Sequence, residues 1–377
     1  MNTSSLHAAS AAGLRPASAA AQHAPHAKLL VVHADGRIAH SERAHLASVL
    51  RAGDLVVAND AATLPASLSG THSPSGAPIE VRLAGRRTLH ADDLRAFSAI
   101  VFGAGDHRTR TEDRAAPPPL DAGDALQLGP LRATVQRTLG HARLIELRFE
   151  GAVDAIWAGI ARHGKPIQYA HVQESLALWD VWTRVAALPV AFEPPSAGFV
   201  LDWALLHALR ARGIGFATLT HAAGISSTGD AALDARLPFD EPYYLPASTV
   251  SAIERAQRRR GRVVAIGTTV TRALEHAARH GVLCAGTGVA DQRIGAATRL
   301  HVVGAIVSGA HEPGSSHHEL LHAFAGPAVL QRADRALREH GYLTHEFGDS
   351  VLIERAAAMP FARTTKSPRT LEPMVQS

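Results

Sequence analysis

Residues 262–279, RVVAIGTTVTRALEHAAR, constrain the fold more than any other stretch. Val263, Val264 and Ile266 read as a buried strand, Gly267-Thr268-Thr269 as a tight turn, and the residues that follow as an amphipathic helix. A strand feeding straight into a helix belongs to an α/β sheet, and it leaves backbone N–H groups and two hydroxyls free at the helix start. Such a corner accepts a carboxylate, a phosphate or the polar edge of a ligand. Many α/β proteins carry one with no ligand in it.

The flanking patterns divide the chain. Residues 1–27 are rich in Ala, Ser and His, hold no acid and a single Arg, and lack the apolar run of a signal peptide, so they read as a disordered leader. LLVVHADGRIAH reads as a hairpin about Asp35-Gly36, and LVVAND as a buried strand ending in Asn59-Asp60. Residues 64–150 change character to short alternating segments punctuated by Gly, Pro and Asp, which predicts a small all-β barrel-like domain. Helical periodicity returns after Gly151, with helices expected over 154–163, 201–212, 248–260, 315–324 and 327–340. The reading is an α/β fold of mixed α+β character. A large discontinuous domain with a mixed sheet (28–63 and 151–358) is interrupted by the barrel, and a disordered tail (359–377) follows.

Composition removes several function classes. With 377 residues the chain can bury the core of two domains. One cysteine, Cys284, excludes an internal disulfide framework and a zinc ribbon, and fits the cytoplasm. No run of about 18 apolar residues exists, so no membrane partner is expected. A net charge of +4 permits an anionic polymer without demanding one. The strongest basic run, Arg258-Arg259-Arg260 with Arg262, suits a solvated helix end as well as an RNA backbone.

Seven segments, in order, resemble the S-adenosylmethionine:tRNA ribosyltransferase-isomerase family of queuosine biosynthesis. They are GDLVVANDAATLPASL (53–68), PPSAGFVLD (194–202), THAAGISSTG (220–229), EPYYLP (241–246), RVVAIGTTVTRALE (262–275), GAHEPGSSHHELLHAFAG (309–326) and FGDSVLIE (347–354). The resemblance implies an enzyme that moves the ribosyl part of S-adenosylmethionine onto 7-aminomethyl-7-deazaguanine in tRNA. The product is epoxyqueuosine, with adenine and methionine released. S-adenosylmethionine is then a ribosyl-donor substrate, and no metal is expected.

The sulfonium acidifies the neighbouring 5′ carbon, so a base of near-neutral pKa is needed. The matched loops offer His221 and His311, with Asp60 as a third candidate. Asn59, Ser196, Ala197, Gly198, Gly267, Thr268, Thr269, Arg272, Ser315, Gly348 and Asp349 are the expected binding residues, with Thr268, Thr269 and Arg272 suited to the methionine carboxylate.

The chain departs from the family pattern at Ser67, at Val200-Leu201-Asp202 and at Gly314, where the family has Arg, His-Phe-Thr and Lys. Those losses keep two alternatives open: a paralogue using S-adenosylmethionine on a small-molecule acceptor, or a non-catalytic binding protein on the same fold. tRNA is accordingly a conditional partner, and a monomer is the favoured oligomeric state. One motif points elsewhere: His318-Glu319-Leu320-Leu321-His322 has the HExxH spacing that places two imidazoles on one helix face. A His-rich chain produces that spacing by chance.

Overall fold

The computed structural model describes residues 14–20, 22, 24, 26–90 and 93–356. The apolar runs Leu55–Asn59, Gly215–His221, Val263–Ile266 and Val303–Gly309 lie side by side and parallel at the centre of a nine-stranded sheet. Its order is Gly286–Ala290, Glu241–Leu245, Gly215–His221, Leu55–Asn59, Val263–Ile266, Val303–Gly309, Ser350–Glu354, Lys28–Val32, Ile38–Glu42. Glu241–Leu245 and Ser350–Glu354 join the parallel centre antiparallel, so the sheet is mixed as expected.

Period-2 alternation assigns each strand residue to a face. Leu30, Val32, Leu55, Val57, Val263 and Ala265 face one core, covered by the helices Ala247–Arg258, Thr268–Ala277 and Pro327–Glu339. Leu29, Val31, Val56, Ala58, Val264 and Ile266 face the other, under Trp203–Ala211. Both faces are covered, so the strands are continuously apolar. At about 1.5–3 kcal/mol for each aliphatic side chain removed from water, these two cores hold the sheet rigid at the strand ends where a site can sit.

Six antiparallel strands close a barrel in the order Leu131–His141, Leu144–Phe149, Ala96–Phe102, Ala77–Gly85, Ser67–His72, Ala125–Leu128. Its interior is aliphatic with Phe97 and Phe149, and the helix Val153–His163 plugs one end through Ile156 and Ile160. Gly159 lets that helix approach, because a Cβ there would lie 2.3 Å from Leu131 Cδ2. On the barrel's outer side Arg82, Glu80 and Arg114 form a buried ion cluster, with Arg82 and Arg114 over the Phe102 ring.

Several local expectations shift. Part of the presumed leader has a place in the fold: Arg15–Pro16 pairs parallel with Leu343–Thr344. Ala17 is buried against Phe199 and Phe347, where its small side chain fits close to the rings. Residues 1–13 of that leader and the tail from 359 lie outside the described residues. The helix expected from Ser248 begins at Ala247, with Pro246 at its cap position. None of the described helices is long and apolar enough to cross a membrane.

Candidate active site

The carboxyl ends of the parallel strands open on a crevice, the usual place for a ligand in such sheets. Gly267 makes the corner possible. Its φ is 94°, and a Cβ would sit 3.2 Å from the Ala197 Cβ. The helix Thr268–Ala277 starts immediately after it, so the first-turn N–H groups face the crevice beside the Thr268 and Thr269 hydroxyls. Ser196 and Ala197, from the short turn of helix Ser196–Val200, form the opposite lip.

The crevice has two lobes, of about 280 Å³ and about 640 Å³. Glu193, Pro194, Ser196, Ser226, His311 and His317 line both and therefore mark their junction. The smaller lobe is floored by Ile266, Gly267, Thr268 and Thr269, with Arg272 and Arg293 to one side. The larger is walled by Tyr169, His171, His345 and Glu346, and by Arg110 and Glu112 from a barrel loop.

Burial dominates the electrostatics at the junction. It pushes the Glu193 carboxyl up to about 7, against the Tyr169 hydroxyl that donates to it. Tyr169 is pushed up in turn by its own burial and by the Glu193 charge. The His311 and His317 rings stack with centroids 4.7 Å apart. Burial holds His311 well below the usual imidazole range, helped by His317 and His345, and burial lowers His317 as well. Both rings are therefore neutral with a free lone pair, and His311 departs from the near-neutral pKa expected of the base, so its candidacy rests on its place in the cavity.

Arg272 is committed to the protein. It donates to Glu241, to the Ala290 carbonyl at 2.7 Å and to the Phe239 and Gln292 carbonyls at 3.3 Å. Arg293 is exposed and gives Nη2 to the Ala235 carbonyl at 2.8 Å, leaving other donors toward the smaller lobe. Glu241 is pushed up by burial against the opposing pull of Arg272. His221 lies wholly buried with Nε2 3.5 Å from Glu241, and burial together with Arg272 keeps it well below its ordinary pKa.

Ser196, Ala197, Gly267, Thr268, Thr269, Arg272 and His311 thus meet in the smaller lobe, and Ser315 lines the larger one. Asn59 and His221 lie beneath the floor. The Asn59 amide donates to the His221 carbonyl and accepts from the His221 and Ala61 N–H groups, locking two strand ends together. Gly198 packs on Thr183. Asp60 lines neither lobe, and its carboxylate accepts from the Thr220 hydroxyl at 2.6 Å. Gly348 and Asp349 are equally remote. Asp349 accepts from the Lys28 N–H at 2.6 Å and the Leu343 N–H at 2.8 Å, tying the first strand of the sheet to the last turn.

His318, Glu319 and His322 come close enough to share an ion, but His318 Nε2 is already 3.2 Å from Asp334. Among the departures, Val200 and Leu201 are core and Asp202 caps the helix Trp203–Ala211, whereas Gly314 lines the smaller lobe. Glu193, Tyr169, Glu241, His317, His345, Glu346 and Arg293 escaped the sequence reading. Glu193 had a usable signal, a carboxylate at a strand end directly before Pro194-Pro195-Ser196. Tyr169 had none.

Residues 14–353 match the family described as queuosine biosynthesis protein. The S-adenosylmethionine:tRNA ribosyltransferase-isomerase of Azoarcus sp. (strain BH72) is 32% identical over 339 residues, covering 87% of this chain and 90% of its own. That of Citrifermentans bemidjiense is 31% identical over 325 residues, with 84% and 89% covered. That of Synechococcus elongatus is 29% identical over 361 residues, with 92% and 94% covered. A crystal structure of S-adenosylmethionine tRNA ribosyltransferase from Thermotoga maritima aligns with 90% of this chain and 95% of its own at a TM-score of 0.46 and 24% identity.

Proposed function

The chain belongs to the queuosine biosynthesis protein family, and on that premise we propose how its crevice performs S-adenosylmethionine:tRNA ribosyl transfer and isomerisation. The observation that carries the reading is the junction, where an unprotonated imidazole, His311, and a carboxyl poised near neutrality, Glu193, line both lobes.

The smaller lobe takes S-adenosylmethionine. Its carboxylate meets the first-turn N–H groups of Thr268 and Thr269 and the free donors of Arg293, since Arg272 is spent on Glu241. The sulfonium faces the Glu193 carboxyl. His311 removes a proton from the 5′ carbon, because it reaches the cavity while His221 and Asp60 do not. Glu193, about half protonated at neutral pH, returns a proton to the departing adenine. The larger lobe receives the 7-aminomethyl-7-deazaguanine of a tRNA in the cytoplasm. The products are epoxyqueuosine in tRNA, adenine and methionine.

The test is incubation with S-adenosylmethionine, with and without tRNA bearing the aminomethyl precursor, followed by mass analysis. Adenine release that depends on the tRNA is expected, and its absence would overturn the reading. His311→Ala should abolish release while S-adenosylmethionine still binds, and full turnover in that variant removes His311 from the chemistry. Gly314, which lines the smaller lobe where the family carries a Lys, favours a second reading with a small-molecule acceptor. Adenine release indifferent to tRNA would select it.

A further inference from the structure

We propose that His171, His345 and Glu346, in the wall of the larger lobe, form a site for a divalent transition ion of the zinc class. One ligand atom from each lies within 4.8 Å of the others. His171 Nε2 and a Glu346 oxygen are 2.9 Å apart, and the His171 and His345 rings stack with centroids 4.5 Å apart. Adjacent ligands on a tetrahedral ion with bonds of about 2.0–2.1 Å stand about 3.3 Å apart, so modest side-chain rotation suffices. The side chains of His171 and Glu346 are 12% and 19% exposed, sheltered yet reachable from the lobe.

The backbone is arranged to present these groups. His345 has a φ of 67°, a conformation that residues with a Cβ rarely adopt, and the Gly348 N–H on its carbonyl at 3.0 Å holds the turn there. This sets its ring against His171, which comes from a segment 174 positions earlier in the chain. Two imidazole nitrogens and one carboxylate oxygen make the donor set of an ion that keeps a coordination position open, here toward the lobe.

Carboxyl groups outnumber cationic side chains in the lining of the larger lobe. Glu112, Glu193, Glu312 and Glu346 all line it, and Arg110 is paired with Glu112. An ion would supply positive charge to a polyanionic substrate. The His318, Glu319 and His322 group is the lesser candidate, because Asp334 already holds His318 and Glu319 is exposed.

The proposal stands apart from the S-adenosylmethionine reading, and its test needs no turnover. The full chain, stripped with chelator, is titrated with Co²⁺ and then Zn²⁺. One cobalt per chain with a tetrahedral visible band, displaced by zinc, is expected. Glu346→Gln keeps the side-chain size, and His345→Asn tolerates the left-handed backbone. Each should weaken binding at least about tenfold, the lower end of what even an outer partner costs, with unfolding midpoints confirming that both variants fold. His322→Ala should bind like the parent. No cobalt band, binding unchanged in both site variants, or binding lost in His322→Ala would overturn the assignment.

Discussion

Glu193→Gln separates the charge of the junction carboxyl from its shape. In the folded protein the group keeps its proton until about pH 7, against an ordinary value of 4.5. Across that window the folded state binds more protons than the unfolded chain, so stability falls as pH rises. The difference of about 2.5 pH units, at about 1.4 kcal/mol each, amounts to about 3 kcal/mol by pH 8. Gln fills the same space, never ionises, and keeps an oxygen to accept from Tyr169. The two proteins should therefore unfold at nearly the same urea concentration at pH 4.5, with the variant more stable by about 3 kcal/mol at pH 8. Urea melts of both at pH 4.5, 6, 7 and 8 in constant salt make the comparison, and subtraction removes every other titrating group. A gap that stays flat across that range, or one in which the parent gains with rising pH, refutes the assigned environment.

Three further outcomes are expected. Arg272→Met strands the buried Glu241 carboxylate and should cost about 3–5 kcal/mol by urea melt, much of it recovered when Glu241→Leu is added. Gly267→Ala forces a Cβ into a φ of 94° beside Ala197 and should cost about 1–3 kcal/mol, with weaker S-adenosylmethionine binding by calorimetry. Asp60→Asn should leave adenine release within about twofold of the parent, because its carboxylate contacts Thr220 outside the cavity; a collapse would place Asp60 in the chemistry after all.

Legibility in the sequence followed distance along the chain. The corner at Gly267 was plain, since strand, turn and helix are consecutive and each has its own period. The barrel was visible as a change from helical to alternating spacing near residue 64. The order of sheet strands was not, because pairing Lys28–Val32 with Ser350–Glu354 leaves no local trace. The site divided the same way. Ser196, Thr268 and His311 lie in compact loops and reach the cavity, whereas Asp349, in an equally suggestive loop, is consumed by two backbone N–H groups. Arg272 was read as free when it is neutralised from a different strand. The pairing of Tyr169 with Glu193, and of His171 with Glu346, depends wholly on tertiary placement.

Among the described residues the amino-terminal hairpin joins the sheet through Ser350–Glu354, the last described strand in chain order. Lys28 and the Asp349 that secures it are 321 positions apart. At about 5–20 residues per second, translation leaves Leu29–Val32 waiting roughly 15–60 s for its partner. A nascent chain therefore displays an unclaimed apolar edge until Ser350–Glu354 has been made. Deleting Ser350–Glu354 would bare two edges at once, Val303–Gly309 on one side and Lys28–Val32 on the other.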